Sequence, residues 1–330
     1  MRILAIETSC DDTSVSVVDI TTRKIKVLTH IVSSQEAIHK EFGGIVPEVA
    51  ARKHVENLPA ILQTVLKKHP AKTIERIAVT MGPGLITSLL VGVEAAKTLA
   101  FAWNKPIIPV HHIEGHLLSA LIENHTIRFP ALGLVVSGGH TELILVHGFG
   151  KYRVIGETQD DAAGECFDKA AKILNLGYPG GPAIEKLALK GKTDAYNLPR
   201  PMLKSDNYHF SFAGLKTAVL YLHRDGKIPK SAINNFCASL QQAIVDVLVS
   251  KTIRAAEKFG VKTVLLGGGV AANSHLKKTL ASALSKIHCD FLAPSRKYST
   301  DNATMIAVAA YHNTPVQWEK IKADPNLELK

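Results

Sequence analysis

Two similar α/β lobes are expected from this chain of 330 residues, on three grounds. Near the start, "RILAIE", the polar turn "TSCDDT" and "SVSVVDI" read as strand, turn and strand; near residue 131, "ALGLVV", "SGGHT" and "ELILVHG" do the same. Each hairpin is followed by a further strand signal ("KIKVLTHIV"; "YRVIGET") and then by a long helical pattern ("PEVAARKHVENLPAILQTVLKK"; "DDAAGECFDKAAKILN"). The third ground is the spacing. A β-β-β-α theme that recurs about 130 residues on suggests a duplicated unit facing its twin across a cleft, with chance repetition of a common hairpin as the competing explanation.

The bulk numbers agree with a soluble globular protein: 46% of residues are hydrophobic and 21% charged, enough to bury a sizeable core. A formal net charge of +10 favours an acidic partner such as nucleic acid, against the plainer reading of a protein that is merely basic. Cys10, Cys166, Cys237 and Cys289 are scattered with no C-x-x-C pair, which fits a reducing compartment rather than a disulfide framework or a thiolate zinc site. No signal or transit pattern precedes "RILAIE", so a cytoplasmic protein is expected. The apolar run "ITSLLVGVEAAKTLAFAW" carries Glu94 and Lys97 and reads as a buried helix, not a membrane span.

Along the chain, Asp11 and Asp12 come first, on the turn after the opening strand. Paired acids there can orient a nucleophile or hold a nucleotide's cation, though turns also favour Asp for local hydrogen bonds. Next comes "PVHHIEGHLL", in which His112 and His116 are spaced i, i+4 and so project from one helix face, as two imidazoles on one divalent ion would. A chain with 15 histidines produces such spacings by chance as well. The peptidase motif H-E-x-x-H needs glutamate directly after the first histidine; here that residue is Ile113, and Glu114 lies roughly 200° around the helix from His112.

A third ligand is expected from elsewhere in the chain, and Asp301 in "YSTDNATMIAVAAYH" is the candidate, at a helix start where simple capping is the alternative role. Between these segments, "VVSGGH" places a glycine pair after a strand, and "VLLGGGVAAN" runs from a strand into Gly267, Gly268 and Gly269 before a helix starting near Ala272. Such turns let backbone N–H groups approach phosphates, yet neither is a dinucleotide fingerprint or a P-loop. Asp160 and Asp161 read as helix-start acids. Asp168 reads as a partner for ribose hydroxyls, and Lys216 as a phosphate neutraliser or a solvated lysine. Two hairpin turns and a glycine-rich loop are the layout of the actin-like nucleotide-binding superfamily.

Taken together, "IETSCDDTSVSVVD", "GGIVPEVAARKH", "HHIEGHLLS", "VVSGGHTEL", "DDAAGECFDKAAKILNLGYPGGP", "FSFAGLKT", "GGGVAAN" and "STDNATMIA" resemble the TsaD family, the bacterial tRNA N6-adenosine threonylcarbamoyltransferases, over residues 1 to about 310 in the family's order. The family was earlier labelled an O-sialoglycoprotein endopeptidase. The resemblance implies an actin-like (ASKHA) two-lobed α/β fold of duplicated βββαβα units around a nucleotide cleft. Lobe I would take residues 1–130 with a C-terminal helix (about 303–330) packed back on it, and lobe II, nucleotide-binding, residues 131–302.

The same resemblance implies transfer of threonylcarbamoyl from threonylcarbamoyl-AMP to N6 of the adenosine 3′ of the anticodon. It implies one divalent ion, Fe2+ or Zn2+, on His112, His116 and Asp301, and adenine-nucleotide contacts from Val135, Val136, Ser137, Gly138, Gly139, Asp168, Gly181 and Asn273. Partners would be tRNA, a TsaB-like paralogue, a TsaE-like ATPase and an adenylate-forming TsaC-like enzyme upstream, with no membrane. Ala213 stands where serine is common in the family, and Asp12 where many members have glutamate. Because an acyl-adenylate is already activated, Asp11 needs only to orient or deprotonate the weakly nucleophilic N6 amine. The rival readings are a metallopeptidase and a small-molecule kinase of the actin-like superfamily.

Overall fold

The computed structural model describes residues 1–124 and 126–329. The chain forms two compact units, Met1–Ile127 with Pro294–Lys330, and Arg128–Ala293.

The first unit is built on a five-stranded sheet. β1 (Arg2–Glu7), β2 (Thr13–Ile20) and β3 (Ile25–Ser33) form an antiparallel meander, and β4 (Arg76–Gly82) and β5 (Ile107–His111) add in parallel, giving the order β3-β2-β1-β4-β5. The period of two in β1 sorts its side chains. Leu4 and Ile6 join Leu58, Ile61, Val65, Val93 and Ala96 in one core, the last five supplied by α2 (Pro47–Lys68) and α3 (Ile86–Trp103). A short helix, α1 (Glu36–Phe42), precedes α2.

On the other face of the sheet lie α4 (His112–Leu118) and a helix from the far end of the chain, Ala303–His312, whose Thr304 hydroxyl is 2.8 Å from that of Ser16 on β2. α3 is not buried all round: Leu89, Val93, Ala96 and Ala100 are inside, while Ile86, Leu90 and Phe101 are exposed.

The second unit repeats this sheet. β6 (Ala131–Val136), β7 (Thr141–Gly148) and β8 (Lys151–Glu157) form the meander; β9 (Thr263–Gly267) and β10 (Asp290–Leu292) run parallel to β6, in the order β10-β9-β6-β7-β8. Its helices are α5 (Ala163–Ile173), α6 (Gly180–Ala188), α7 (Ala213–Arg224), α8 (Ile233–Phe259) and α9 (Ser274–Lys286), so the helix at Ala303–His312 is α10. Each unit is therefore a meander extended by two parallel strands in the same order, the fold expected from the repeated hairpins. α3 and the segment Lys230–Phe259 are long and apolar enough to cross a membrane by composition, but the latter is 67% buried and both supply core side chains to their units.

Several boundaries differ from the sequence reading. The chain changes units at 127/128 and 293/294, not at 130/131 and 302/303, which places Asp301 with the first unit. The last helix ends at His312 instead of running to 330: Asn313 leaves helical geometry, Pro315 follows, and Trp318–Lys320 is a single 3-10 turn. Residue 330 itself lies outside the described residues. The helix expected near Ala272 starts at Ser274, because Gly269–Ala272 form a 3-10 turn and Asn273 is the cap.

Candidate metal centre and glycine turns

α4 starts where β5 ends, and its first residue is His112. His111, just before it, is the cap: Nδ1 accepts from the Ile113 N–H at 3.1 Å, and Nε2 is 3.0 Å from the Leu327 carbonyl. Burial pushes its imidazole down to about 4. Of the three histidines in "HHIEGH", then, one holds the backbone and two remain. One helical turn apart, the rings of His112 and His116 sit edge to face at 4.6 Å between centroids. Asp301 reaches both, its Oδ1 lying 3.6 Å from His112 Nε2 and 3.0 Å from His116 Nε2. One donor atom from each of the three residues lies within 4.8 Å of the others.

Two observations separate this cluster from an ordinary ion pair. His116 is 0% exposed, yet among the described residues neither of its ring nitrogens finds a hydrogen-bond partner, even with the Asp301 oxygen so near. Buried polar atoms are rarely left this way, and a lone pair aimed at a shared point is what a cation would occupy. The second concerns the capping alternative for Asp301. The N-cap of α10 is Asn302, whose Oδ1 accepts from the Met305 N–H at 3.0 Å, so Asp301 stands one residue outside the helix and its carboxylate is turned to the histidines. Two imidazoles and a carboxylate suit one divalent ion with a position left for substrate.

Close packing brings the ligands together. A Cβ on Gly115 would stand 2.8 Å from Ile306 Cδ1 and 3.2 Å from Met305 Cγ, so α4 lies closely on α10 and a larger residue there would require these side chains to shift. Glu114 is buried and accepts from Asn313 Nδ2 at 2.7 Å, a residue just beyond α10.

Negative charge accumulates around the triad. Burial, then the charge of Asp301, raises the Asp11 carboxyl. Burial, then Asp11 and Asp301, takes Asp12 up to about 7. Burial and then the same two acids push the Cys10 thiol well up, so it is no nucleophile. Glu7, at the end of β1, is fully buried; burial alone would raise its carboxyl, but the charge and hydrogen bond of His112, with help from Ser9, hold it below the usual range. Sequence reasoning assigned Glu7 no role. Its signal was a charged residue at a strand position where the run "RILAIE" is otherwise apolar.

In the second unit, the turn Ser137–His140 closes β6 onto β7, with the His140 N–H donating to Ser137 Oγ at 3.0 Å. Gly138 and Gly139 are exposed, and a Cβ on either would meet nothing within 4 Å. The start of α5 lies directly against this turn: the Gly164 N–H donates to the Ser137 carbonyl at 3.2 Å, and a Cβ on Gly164 would be 2.4 Å from that oxygen. Gly268, at φ +89°, meets the end of β6 so closely that a Cβ would be 2.3 Å from the Val136 carbonyl. The two glycine turns are thus side by side, at the ends of the parallel strands β6 and β9. The side chains of Val135 and Val136 are buried, which leaves only their backbone for a ligand.

Other expected contacts already have partners within the fold. Asp168 accepts from the Gly180 N–H at 2.7 Å and from the Gly181 backbone, so it caps α6, and burial raises its carboxyl despite these bonds. Asn273 caps α9 through Leu276 N–H and donates to Gln241 Oε1 at 2.8 Å. Asp160 accepts from the Phe212 and Ala213 N–H groups at the start of α7, so it serves a helix far along the chain and not α5. Lys216 pairs with Asp161 at 3.1 Å, so its ammonium is neither simply solvated nor held ready for a phosphate. Asp161 also pairs with Lys169; burial raises its carboxyl, but the two lysines outweigh that and hold it low.

The chain is similar to known proteins along most of its length. The family model for tRNA N6-adenosine threonylcarbamoyltransferase (TsaD) matches residues 26–308. A protein of that name from Endomicrobium trichonymphae is 46% identical over all of this chain and 98% of its own length. One from Thermosipho africanus is 48% identical over the full length of both, and one from Pelobacter propionicus 48% identical over 94% of this chain and 92% of its own. Among solved structures, full-length HypF in its phosphate- and nucleotide-bound form has a TM-score of 0.60 at 15% identity, covering 94% of this chain and 54% of that one. Component A of the Acidaminococcus fermentans (R)-2-hydroxyglutaryl-CoA dehydratase has a TM-score of 0.57 at 14% identity, covering 94% of this chain and 98% of that one; at such identities these two speak for the fold alone.

Proposed function

The chain belongs to the tRNA N6-adenosine threonylcarbamoyltransferase family, and from that membership we propose how its residues divide the work. It is an acyltransferase that forms N6-threonylcarbamoyladenosine in tRNA. We read the donor as threonylcarbamoyl-AMP and the acceptor as the adenosine 3′ of the anticodon in tRNAs that decode codons starting with A. In the reaction the N6 nitrogen bonds to the carbamoyl carbon, the bond from that carbon to the phosphate oxygen breaks, AMP leaves, and the amine gives up a proton.

His112, His116 and Asp301 would hold one divalent ion, Fe2+ or Zn2+. Bound there, such an ion supplies Lewis-acid polarisation of a carbonyl oxygen and offsets the negative charge that grows on it. The carrying observation is the convergence of two buried imidazoles and a carboxylate that is not a cap, with His116 lacking any hydrogen-bond partner among the described residues. Asp11 orients the N6 amine and takes its proton; its raised carboxyl is better matched to that task than an ordinary aspartate. The backbone N–H groups of Gly138 and Gly139 hold the AMP phosphate, where the exposed glycines leave room for one, and Val135, Val136, Ser137, Asp168, Gly181 and Asn273 shape the nucleotide site around them, the Ser137 N–H being used within the turn by the His140 carbonyl. For Asp168 and Asn273 that is a supporting part, because each caps a helix beside the turns. The peptidase reading lacks its base, since Ile113 stands directly after His112 where the motif needs glutamate.

A net charge of +10 suits tRNA as the partner. A TsaC-like enzyme would supply the adenylate, and a TsaB-like paralogue and a TsaE-like ATPase would work alongside, all in the cytoplasm. The test is nucleoside analysis of an unmodified tRNA incubated with the adenylate, these partners and the protein. Formation of the modified nucleoside by the wild type, and a loss of turnover in Asp301→Ala much larger than any loss of tRNA affinity, is the expected result. Full turnover by Asp301→Ala removes the triad from the reaction.

A further inference from the structure

His112 differs from His116 in what stands behind it. Its Nδ1 lies 3.3 Å from Glu7 Oε2 and 3.1 Å from Ser9 Oγ, whereas Nδ1 of His116 has no hydrogen-bond partner among the described residues. Glu7 is itself held at both oxygens: Oε1 accepts from the Ser9 N–H at 2.5 Å, and Oε2 from the Thr80 hydroxyl at 2.5 Å. A carboxylate buried at 0% exposure at the end of a core strand is costly, and here it is met by two donors and an imidazole. β1 and β4 are neighbours, so Glu7 and Thr80 form one rigid tip of the sheet, facing the first residue of α4.

We infer that Glu7 is a positioning residue that fixes the tautomer and direction of the His112 ring, so that its Nε2 presents a lone pair beside His116 and Asp301. The inference rests on the metal reading of that triad. An ionised carboxylate can only accept, so its contact with Nδ1 requires the proton there, and the lone pair is then on Nε2. Nε2 is the atom that faces Asp301. An acceptor behind a ligating imidazole also raises its basicity, and loss of such an acceptor weakens metal binding about 10–100-fold.

Glu7→Gln is the informative change. The Ser9 N–H holds the amide oxygen in the place of Oε1, so the amide NH2 takes the place of Oε2, beside the Thr80 hydroxyl and His112 Nδ1. There Nδ1 becomes an acceptor, the ring proton moves to Nε2, and the lone pair is lost from the side of the triad.

The experiment is Zn2+ affinity of the full-length protein, by competition with a chromophoric chelator, in Glu7→Gln alone and combined with His112→Ala or His116→Ala. Glu7→Gln alone should bind Zn2+ about 10–100-fold more weakly than the wild type. Added to His116→Ala it should still weaken binding about tenfold, and added to His112→Ala it should change it less than about twofold, because its route runs through His112. Thermal unfolding without metal checks that each variant is folded. Should the glutamine variant not fold, Glu7→Asp, which keeps the charge and draws it back from Nδ1 by one methylene, makes the same comparison. Wild-type affinity in Glu7→Gln, or equal losses in both histidine backgrounds, overturns the inference while leaving the triad as a metal site. A wild-type protein that takes up no Zn2+ overturns the metal reading and this inference together.

Discussion

Replacing Asp12 by asparagine should stabilise the metal-free protein at pH 8 and leave it almost unchanged at pH 4. Asp12 stands on the turn after β1 with Oδ1 buried and, among the described residues, without a hydrogen-bond partner. Burial first, then the negative charges of Asp11 and Asp301, lift its carboxyl from an ordinary 3.8 to about 7, against a hydrogen bond from Ser34. The folded state therefore keeps the proton where the unfolded chain has already lost it. Stability from this group is fully present below the unfolded value and is lost as pH rises through the folded value, so the window runs from about pH 4 to pH 7.

A shift of about three pH units at about 1.4 kcal/mol each is on the order of 4 kcal/mol. Asparagine keeps the shape and can keep the Ser34 hydrogen bond, but it carries no charge to bury. In thermal unfolding with a chelator present, at about 2–4 °C per kcal/mol for a unit of this size, Asp12→Asn should melt roughly 10 °C above wild type at pH 8, with the gap closing towards pH 4. A gap that does not change with pH, or a variant that melts below wild type at pH 8, would refute the electrostatic reasoning about this turn.

The glycine turns make a paired prediction. Gly138→Val places its side chain in open space, so circular dichroism and melting should stay native while adenine-nucleotide affinity in calorimetry falls at least tenfold. Gly164→Ala drives a Cβ into the Ser137 carbonyl and should cost about 1–3 kcal/mol of stability in urea unfolding as well as displacing the turn. Gly115→Val crowds the side chains of Ile306 and Met305 between α4 and α10; elemental analysis should show metal content below that of wild type even in protein that still folds. Replacing exposed lysines by glutamine should weaken tRNA binding and reduce the salt slope by about one unit for each phosphate no longer neutralised, with kcat on saturating tRNA unchanged; an unaltered slope would place the RNA elsewhere.

Local periodicity was enough to read much of the framework. α2 and α3 run over the same residues as "PEVAARKHVENLPAILQTVLKK" and "ITSLLVGVEAAKTLAFAW", and both hairpins form as read, because a strand or helix depends on neighbours a few residues away. The i, i+4 spacing of His112 and His116, and the missing glutamate after His112, are likewise properties of one helical turn, legible without any tertiary structure.

What the linear chain left open was decided by which ends of which elements meet. Asp301 could have capped α10; the neighbouring Asn302 does so, and the packing of α4 on α10 brings the histidines within reach of Asp301 instead. Asp160 looks like the start of α5 but is used by α7, and Lys216 looks like a phosphate ligand but sits on Asp161. Glu7 gains a role only when β4 brings Thr80 beside it and β5 delivers His112 in front of it. The physical reason is range. Backbone propensity acts over one or two turns, whereas the partner of a buried charge is set by strand order and close packing across the whole unit, where an unpaired polar group costs far more than any local preference returns.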